Sequence, residues 1–411
     1  MHRACRHHVK RAASFGLALA VAIAASGAAL ADGAKIGVIM SMTGALQAYG
    51  QTSLNGIRLA VDEINAQGGV LGGKLEIVIG DDQTVPQSGV EAAQKLVSVD
   101  KVVGIIGALS SGVTIPIARS VTSVAGVPQI SNASTSPVIT DLDDKDFLFR
   151  TVPSDALQGV VLADVVRKAG YKSLGVIYVN NDYGDGLQKA FASAFAKHGG
   201  KVTASLPYEP KKPSYRGELS RIAGGKPEGL LVIAYPEDGI PILRQSLEEG
   251  FFKKFVFTDG MKAPEVIKAI GDKFLEGSIG TAPEAASDTP SAKRFRDAYN
   301  QKFGELPPKP FIDSAYDAAY VLALAIEKAG GTDPKKVRDA IRDVGRGPGE
   351  RILPGEWAKA KKLLAEKKGI DYSGAAGYQD FDAKGDVPGS FGIWKIEKGL
   401  IKTTDIVTPR M

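Results

Sequence analysis

The chain is expected to fold as an α/β protein: two doubly wound, Rossmann-like lobes joined by a three-segment hinge. Three observations lead there. Short apolar runs of strand length alternate with amphipathic stretches of helix length along most of the chain, and such alternation demands parallel sheets with right-handed crossovers. The series breaks near residues 150–155 and starts again, which makes two lobes rather than one long sheet. Finally, 411 residues that are 44% hydrophobic and 24% charged are globular in composition, and a chain of this length divides into two or three domains.

In the first series, residues 35–40 form a continuous apolar run suited to a strand buried on both faces. Leu54, Ile57, Val61 and Ile64 recur at helical spacing, and Gln67, Gly68 and Gly69 stop that helix. Residues 75–79 are the next strand, 92–99 belong to a helix, 102–106 are a third strand, 113–124 a third helix and 127–130 a fourth strand. In the second series, helices at 156–169, 187–197, 215–223 and 240–248 alternate with strands at 174–179, 202–206, 230–234 and 255–258. Beyond it come a strand at 277–282, helices at 292–303 and 311–329, a Gly/Lys-rich stretch at 345–369, and a last strand at 391–395 before a short tail. This final part is too small for a domain, so it returns to complete both lobes. The expected division is 32–150 with 283–376 in lobe one and 151–282 with 377–411 in lobe two. The crossings between them are expected at 150–154, 280–283 and 374–380.

The first 31 residues read as a secretory signal. They have a basic head (Arg3, Arg6, Lys10, Arg11), an uncharged body over 15–30, and an Ala29-Leu30-Ala31 exit with cleavage after Ala31. An uncleaved anchor is the alternative, since 12–31 just reaches spanning length; the run is mostly Ala and Gly rather than Leu. Asp32 stands where a lipoprotein would carry its acylated Cys. Removing the signal leaves 47 basic against 46 acidic residues, so no electrostatic case for nucleic acid remains. It also removes Cys5, His2, His7 and His8, leaving His198 as the single His and no Cys. Thiol catalysis, disulfides and Cys/His zinc sites are thereby excluded, and neither metal nor cofactor is expected. His198 sits in AKHGG, the last turn of a helix, where a His beside the negative end of the dipole is ordinary.

Catalytic motifs fail on context. The segment GGVLGGK at 68–74 resembles a phosphate loop, but Leu75 replaces the required Ser or Thr, and the order is helix then strand rather than the reverse. The informative places are the strand ends, because open α/β sheets bind ligands beyond the carboxyl ends of their strands. The third strand exits into GALSSG at 107–112 and the fourth into SNASTSP at 131–137. Both loops offer hydroxyls and backbone N–H groups, suited either to helix capping or to a small anion. In the second series, VNNDYG at 179–184, Ala234-Tyr235-Pro236 and Thr258-Asp259-Gly260 supply two aromatics and an acid. Such walls facing each other suit a zwitterion, its carboxylate on lobe one and its ammonium on Asp259. Asp259 is equally a turn-former in its Asp-Gly pair.

Several motifs carry a family resemblance: GALQAYG at 44–50, Asn55-Gly56, Glu63-Ile64-Asn65 before Gly69, Asp81-Asp82, Gly107 to Ser111, Asn181-Asp182-Tyr183-Gly184 with Gly186, and Phe381-Asp382 with Gly385-Asp386. With these the chain, from Lys35 to about Lys395, resembles the periplasmic solute-binding proteins of branched-chain amino acid ABC transporters, the Leu/Ile/Val-binding type. The resemblance implies the type I periplasmic binding fold, no enzymatic activity, a periplasmic monomer, and a membrane permease as partner. It implies that Ser111 and Thr135 hold the ligand's carboxylate, and that Ala133 (through its carbonyl) and Asp259 hold its ammonium. Tyr183 and Tyr235 would close over the ligand, and Tyr49, Leu109 and Phe311 would line its side-chain pocket. Three departures stand out: Asp259 replaces the family's Glu, the disulfide joining the loops at Thr84 and Ser110 is absent, and the 346–376 stretch is longer. A receptor for another carboxylate, an aromatic acid, an amide or urea shares this fold. A secreted α/β enzyme with carboxylate chemistry is the rival from another class.

Overall fold

In chain order the first series runs β1 (Ala34–Met40), α1 (Gln47–Ala66), β2 (Leu75–Asp81), α2 (Pro86–Ser98), β3 (Ile105–Ile106), α3 (Ser111–Ile117), a π-helical turn (Ala118–Thr122), α4 (Ser123–Ala125), β4 (Gln129–Ser131) and β5 (Leu148–Arg150). Its strands pair in parallel in the order β2-β1-β3-β4-β5. The chain turns from one side of β1 to the other between β2 and β3, and a crevice opens beyond the strand ends at such a switch point. The loops leading to α1 and α3 flank it. The computed structural model describes residues 33–409; the segment read as a signal, 1–31, and its cleavage point lie outside them.

The second series begins with α5 (Asp155–Lys168), β6 (Ser173–Val179), α6 (Asp182–Lys197), β7 (Lys201–Tyr208), α7 (Arg216–Gly224) and β8 (Leu230–Ile233). It continues through α8 (Pro236–Glu248), β9 (Phe255–Phe257), α9 (Pro264–Ile270), α10 (Asp272–Leu275) and β10 (Ile279–Pro283). The chain then returns to the first lobe with α11 (Pro290–Phe303), α12 (Ile312–Ala329), α13 (Pro334–Gly345), β11 (Glu350–Ile352), α14 (Trp357–Ala365), β12 (Ile370–Gly374) and β13 (Gly377–Tyr378). It ends with β14 (Phe391–Glu397) and β15 (Leu400–Val407). The second sheet has the order β15-β14-β10-β9-β8-β6-β7, with β14 and β15 antiparallel at one edge. The expected tail is therefore a hairpin strand that extends this sheet.

Helix α12 is buried on every face, as an Ala-, Leu- and Tyr-rich helix must be. It carries one buried carboxylate, Asp317, which accepts from the Tyr372 hydroxyl (2.8 Å) and from the backbone N–H groups of Ala375 (2.7 Å) and Ala376 (2.8 Å). Burial outweighs these donors and pushes its pKa up to about 7. The Gly/Lys-rich stretch has a structure that its composition hides: β11, β12 and β13 make a small three-stranded sheet, with α14 between β11 and β12 in sequence. It is fastened to lobe one by Trp357, whose indole N–H donates to the Gly69 carbonyl (3.1 Å) and whose ring meets Tyr320 edge-on.

The crossings differ from the expected ones in two places. The first joins β5 to α5 through 151–154. The second is displaced, because β10 stays paired with β14 through Pro283–Phe391, so the chain leaves the second sheet at 284–289. The third is also displaced. Residues 379–386, placed beforehand in lobe two, are bonded to lobe one: Arg150 grips Asp386 in bidentate fashion (2.6 and 2.8 Å), and Phe381 packs edge-on against Phe149 at 5.6 Å. A buried guanidinium needs such a partner, and this holds the chain on lobe one until 387–390.

Candidate ligand-binding site

The site grows from loops at the carboxyl ends of strands. After β3, residues 107–110 lead to Ser111 at the start of α3; after β4 comes the 132–136 loop. Their hydroxyls tie the two loops together. Ser131 Oγ donates to the Ala108 carbonyl (2.8 Å), Thr114 Oγ1 and Ser134 Oγ share a 2.8 Å bond, and Ser111 Oγ accepts from the Ser136 N–H (3.2 Å). On the other lobe, Asn181 caps α6 by accepting from the Gly184 N–H (3.0 Å), which sets Tyr183 in the first turn. Tyr235 ends the β8 exit, and Asp259 follows β9.

These groups converge on one small interlobe cavity. Eight of the nine residues singled out in the sequence line it: Tyr49, Leu109, Ser111, Ala133, Tyr183, Tyr235, Asp259 and Phe311. Leu46 and Gly260 complete the wall. Thr135 is not in the lining. Its hydroxyl donates to Asp155 Oδ2 (2.8 Å) and its carbonyl accepts from the Asp155 N–H (2.8 Å), so it faces a neighbouring carboxylate across the lobes. The Tyr183 and Tyr235 rings stack at 5.6 Å, and Tyr49 meets Phe311 edge-on at 6.2 Å. Phe311 holds φ +75°, a left-handed conformation costly for a bulky aromatic. Its carbonyl accepts from Ser53 (3.4 Å) and Asn132 (3.3 Å), contacts that help hold it there.

The lobes touch directly around the cavity. The Tyr49 hydroxyl donates to the Gly260 carbonyl (2.9 Å), Ser110 Oγ and the Tyr235 hydroxyl share a 3.1 Å bond, and Ser136 Oγ donates to the Asp182 carbonyl (2.8 Å). Lys309, anchored on the Ala48 carbonyl (2.7 Å), reaches Glu265 of α9 at 2.5 Å. Beside these bonds Gly186 packs so tightly that a Cβ there would stand 2.6 Å from Pro137 Cδ.

One acid and one amide that the sequence did not single out act on Asp259: the acid shares in the electrostatics and the amide donates to its carboxylate. Asp155 and Gln158 open α5 and are fully buried. Gln158 Nε2 donates to Asp259 Oδ1 (2.8 Å), as does the Tyr183 hydroxyl (3.1 Å). Burial pushes the Asp259 carboxyl up to about 6, against the pull of those two donors. Burial and the Asp259 charge push Asp155 well above the usual carboxylate range. The same burial, with Asp259 adding to it, raises the Tyr49 and Tyr183 phenols. No Lys or Arg lines the cavity, and Arg150, which eases Asp155, is committed to Asp386 and the Ser136 carbonyl (2.9 Å). Asp155 Oδ1 and Gln158 Oε1 are buried acceptors without a donor. Acceptors in excess, with carboxylates among them, suit a ligand that brings cationic N–H groups. Among the described residues no cluster of three or more His, Cys, Asp or Glu is placed to hold a metal ion, and no helix is long and apolar enough to cross a membrane.

Two lobes of this topology with a small cavity between their strand ends have the architecture of a bilobal binding protein. The family described as periplasmic binding protein matches residues 33–360, and this chain belongs to it. The chain is 32% identical over 327 residues to the leucine-, isoleucine-, valine-, threonine- and alanine-binding protein of Pseudomonas aeruginosa, covering 79% of this chain and 86% of that one. The leucine-binding protein LivK of Thermotoga maritima superposes with a TM-score of 0.78 at 27% identity, over 92% of this chain and 99% of that one. LivJ of Streptococcus pneumoniae, a branched-chain amino acid transporter substrate-binding protein solved with isoleucine, gives 0.77 at 25% identity over 92% and 100%. The type I periplasmic binding fold expected from the motifs is the fold observed, and the family and these relatives are binding proteins, not enzymes.

Proposed function

We propose that this chain is the extracytoplasmic receptor of an ABC importer, which captures a small amino acid, branched-chain or closely related, between its lobes and delivers it to a membrane permease. The observation that carries the reading is the division of charge across the cavity. The lobe-two wall presents a buried carboxylate with no cation in the lining, while the lobe-one wall presents the Ser111 hydroxyl and loop backbone. A zwitterion satisfies both walls at once. Its ammonium pairs with Asp259 and the Ala133 carbonyl, with Asp155 behind them. Its carboxylate takes the Ser111 hydroxyl and loop amides, which Thr135 steadies through Asp155. Tyr49, Leu109 and Phe311 receive the aliphatic side chain, and Tyr183 and Tyr235 close over it. Charged ends buried this way need full pairing, because an unpaired buried charge costs several kcal/mol, on the order of 3–5. The ligands named for the Pseudomonas relative, and the isoleucine in the pneumococcal structure, support the same class.

Capture works by hinge closure. Residues 33–150 with 290–386 move as one lobe and 155–283 with 391–407 as the other, about the three crossings. Ligand docks on the lobe-one loops; closure then brings Asp259 and the two stacked tyrosines onto it and forms the cross-lobe bonds. The receptor acts as a monomer in the periplasm after removal of its signal at Ala31, and the permease recognises its closed form. Calorimetry on refolded, ligand-free protein tests the reading with leucine, isoleucine, valine and 4-methylpentanoate, which is leucine without its amine. Binding of the amino acids, with 4-methylpentanoate much weaker, is the expected result. Equal or tighter binding of the acid, or turnover of any ligand, overturns it.

A further inference from the structure

We infer that Gln158 is a positioning residue for the ligand's ammonium: it holds the Asp259 carboxylate in one orientation and ties it to the strand that runs into the second crossing. The inference rests on the amino-acid reading above and deepens it. Gln158 lies in the first turn of α5 and is completely buried. Its Nε2 donates to Asp259 Oδ1 (2.8 Å) and to the Thr281 carbonyl on β10 (3.2 Å). Both amide protons meet acceptors, so the amide cannot flip without setting Oε1 against a carboxylate and a carbonyl. The Tyr183 hydroxyl adds a second donor to the same oxygen (3.1 Å). Oδ1 is thus held by the protein, while Oδ2 receives neither donor and is the oxygen left to face a cation. Gln158 Oε1, by contrast, has no donor, and Thr281 Oγ1 is likewise buried and unpartnered. A Leu or Met of similar volume would avoid that cost, so packing alone does not account for a glutamine here. Its donor pair does.

Thr281 stands two residues before Pro283, where β10 ends and the second crossing starts, so the same amide links the ammonium partner to the hinge. The titratable groups around Asp259 are Asp155 on α5, Tyr183 on α6, Tyr235 ahead of α8 and Tyr49 on α1; Arg150 acts on Asp155. Of the neighbours, the Gln158 amide and the Tyr183 hydroxyl are the donors that favour the ionised form of Asp259.

The test compares wild type with Gln158→Met and Gln158→Glu by calorimetry, using leucine and 4-methylpentanoate across about pH 5 to 8. Gln158→Met is expected to weaken leucine by about tenfold or more while leaving the acid within about twofold, and to move the acidic limb of leucine binding to higher pH, because Asp259 loses a donor to its ionised form. Gln158→Glu keeps the shape and moves the limb further in the same direction by adding another acid to Asp259 and Asp155. Unchanged leucine binding with an unchanged limb overturns the inference, as does equal weakening of both ligands, which a packing role would produce. The limb is read with leucine alone, so it decides the matter even where the acid binds too weakly to measure. Wild-type protein that binds both ligands equally overturns the amino-acid reading itself, and the inference with it.

Discussion

The two walls of the cavity are built on opposite principles. The lobe-one wall is neutral and locked: Thr114, Ser131 and Ser134 spend their hydroxyls on one another or on neighbouring backbone, while Ser111 Oγ is held as acceptor of the Ser136 N–H with its own proton left to donate. The lobe-two wall is titratable and under electrostatic tension, with Asp259 and Asp155 both pushed toward protonation by burial. A locked neutral wall is ready before the ligand arrives, whereas a buried carboxylate reaches its best partnership only when a cation enters. The contrast assigns docking to the first wall and discrimination to the second.

The largest expected effect comes from breaking the second wall. Asp259→Ala should weaken leucine by about 3 kcal/mol, the order found when one partner of a buried charge pair is truncated, as read by calorimetry. Acid should do the same gradually. With its carboxyl raised to about 6, ligand-free protein holds that proton more tightly folded than unfolded, so this group's ionisation lowers stability as pH rises from about 4 to about 6. If the ammonium pairs with the ionised form as proposed, leucine affinity should be level above about pH 6 and fall by up to about tenfold per unit below it. A flat profile down to about pH 5 would argue that Asp259 does not contact the amine. On the first wall, Ser111→Ala should cost about 1.5 kcal/mol, one hydrogen bond to a charged group, and leave the pH profile alone; a shifted profile would erase the distinction between the walls. The smallest effect belongs to the closure contact outside both: Lys309→Met removes an ion pair to the half-exposed Glu265 and should weaken leucine by at most about 1 kcal/mol, through faster release in stopped-flow traces.

Much of this was legible in the sequence because it is periodic or punctuated. Strands such as β1 and β6 read as apolar runs, and the candidate groups of lobe two stand at strand ends beside Gly or Pro. What was not legible depends on distant packing. Asp155 reads as an acid opening a helix, where the dipole alone justifies it; only the folded chain brings it to Thr135 and Asp259. Gln158 carries no signal of its own. Strand β15 is half polar and mostly exposed along Leu400–Val407, so its pattern suggested a tail. Helix α13 could have been found: Asp333 before Pro334 is a capping signal, with Asp333 accepting from the Lys335 N–H at 2.9 Å, and Val337, Ile341 and Val344 follow at helical spacing. The displaced third crossing had no sequence cue, because it is fixed by the grip of Arg150 on Asp386.

The close approach of Gly186 to Pro137 makes one absent methyl group the clearance on which shutting depends. Any side chain at 186 is a doorstop, and its bulk sets how far ajar the protein rests. Alanine there should tip the resting balance modestly and valine strongly, visible as a growing radius in small-angle scattering. Neither change touches the cavity lining, so ligand chemistry and resting posture become separately adjustable in one molecule.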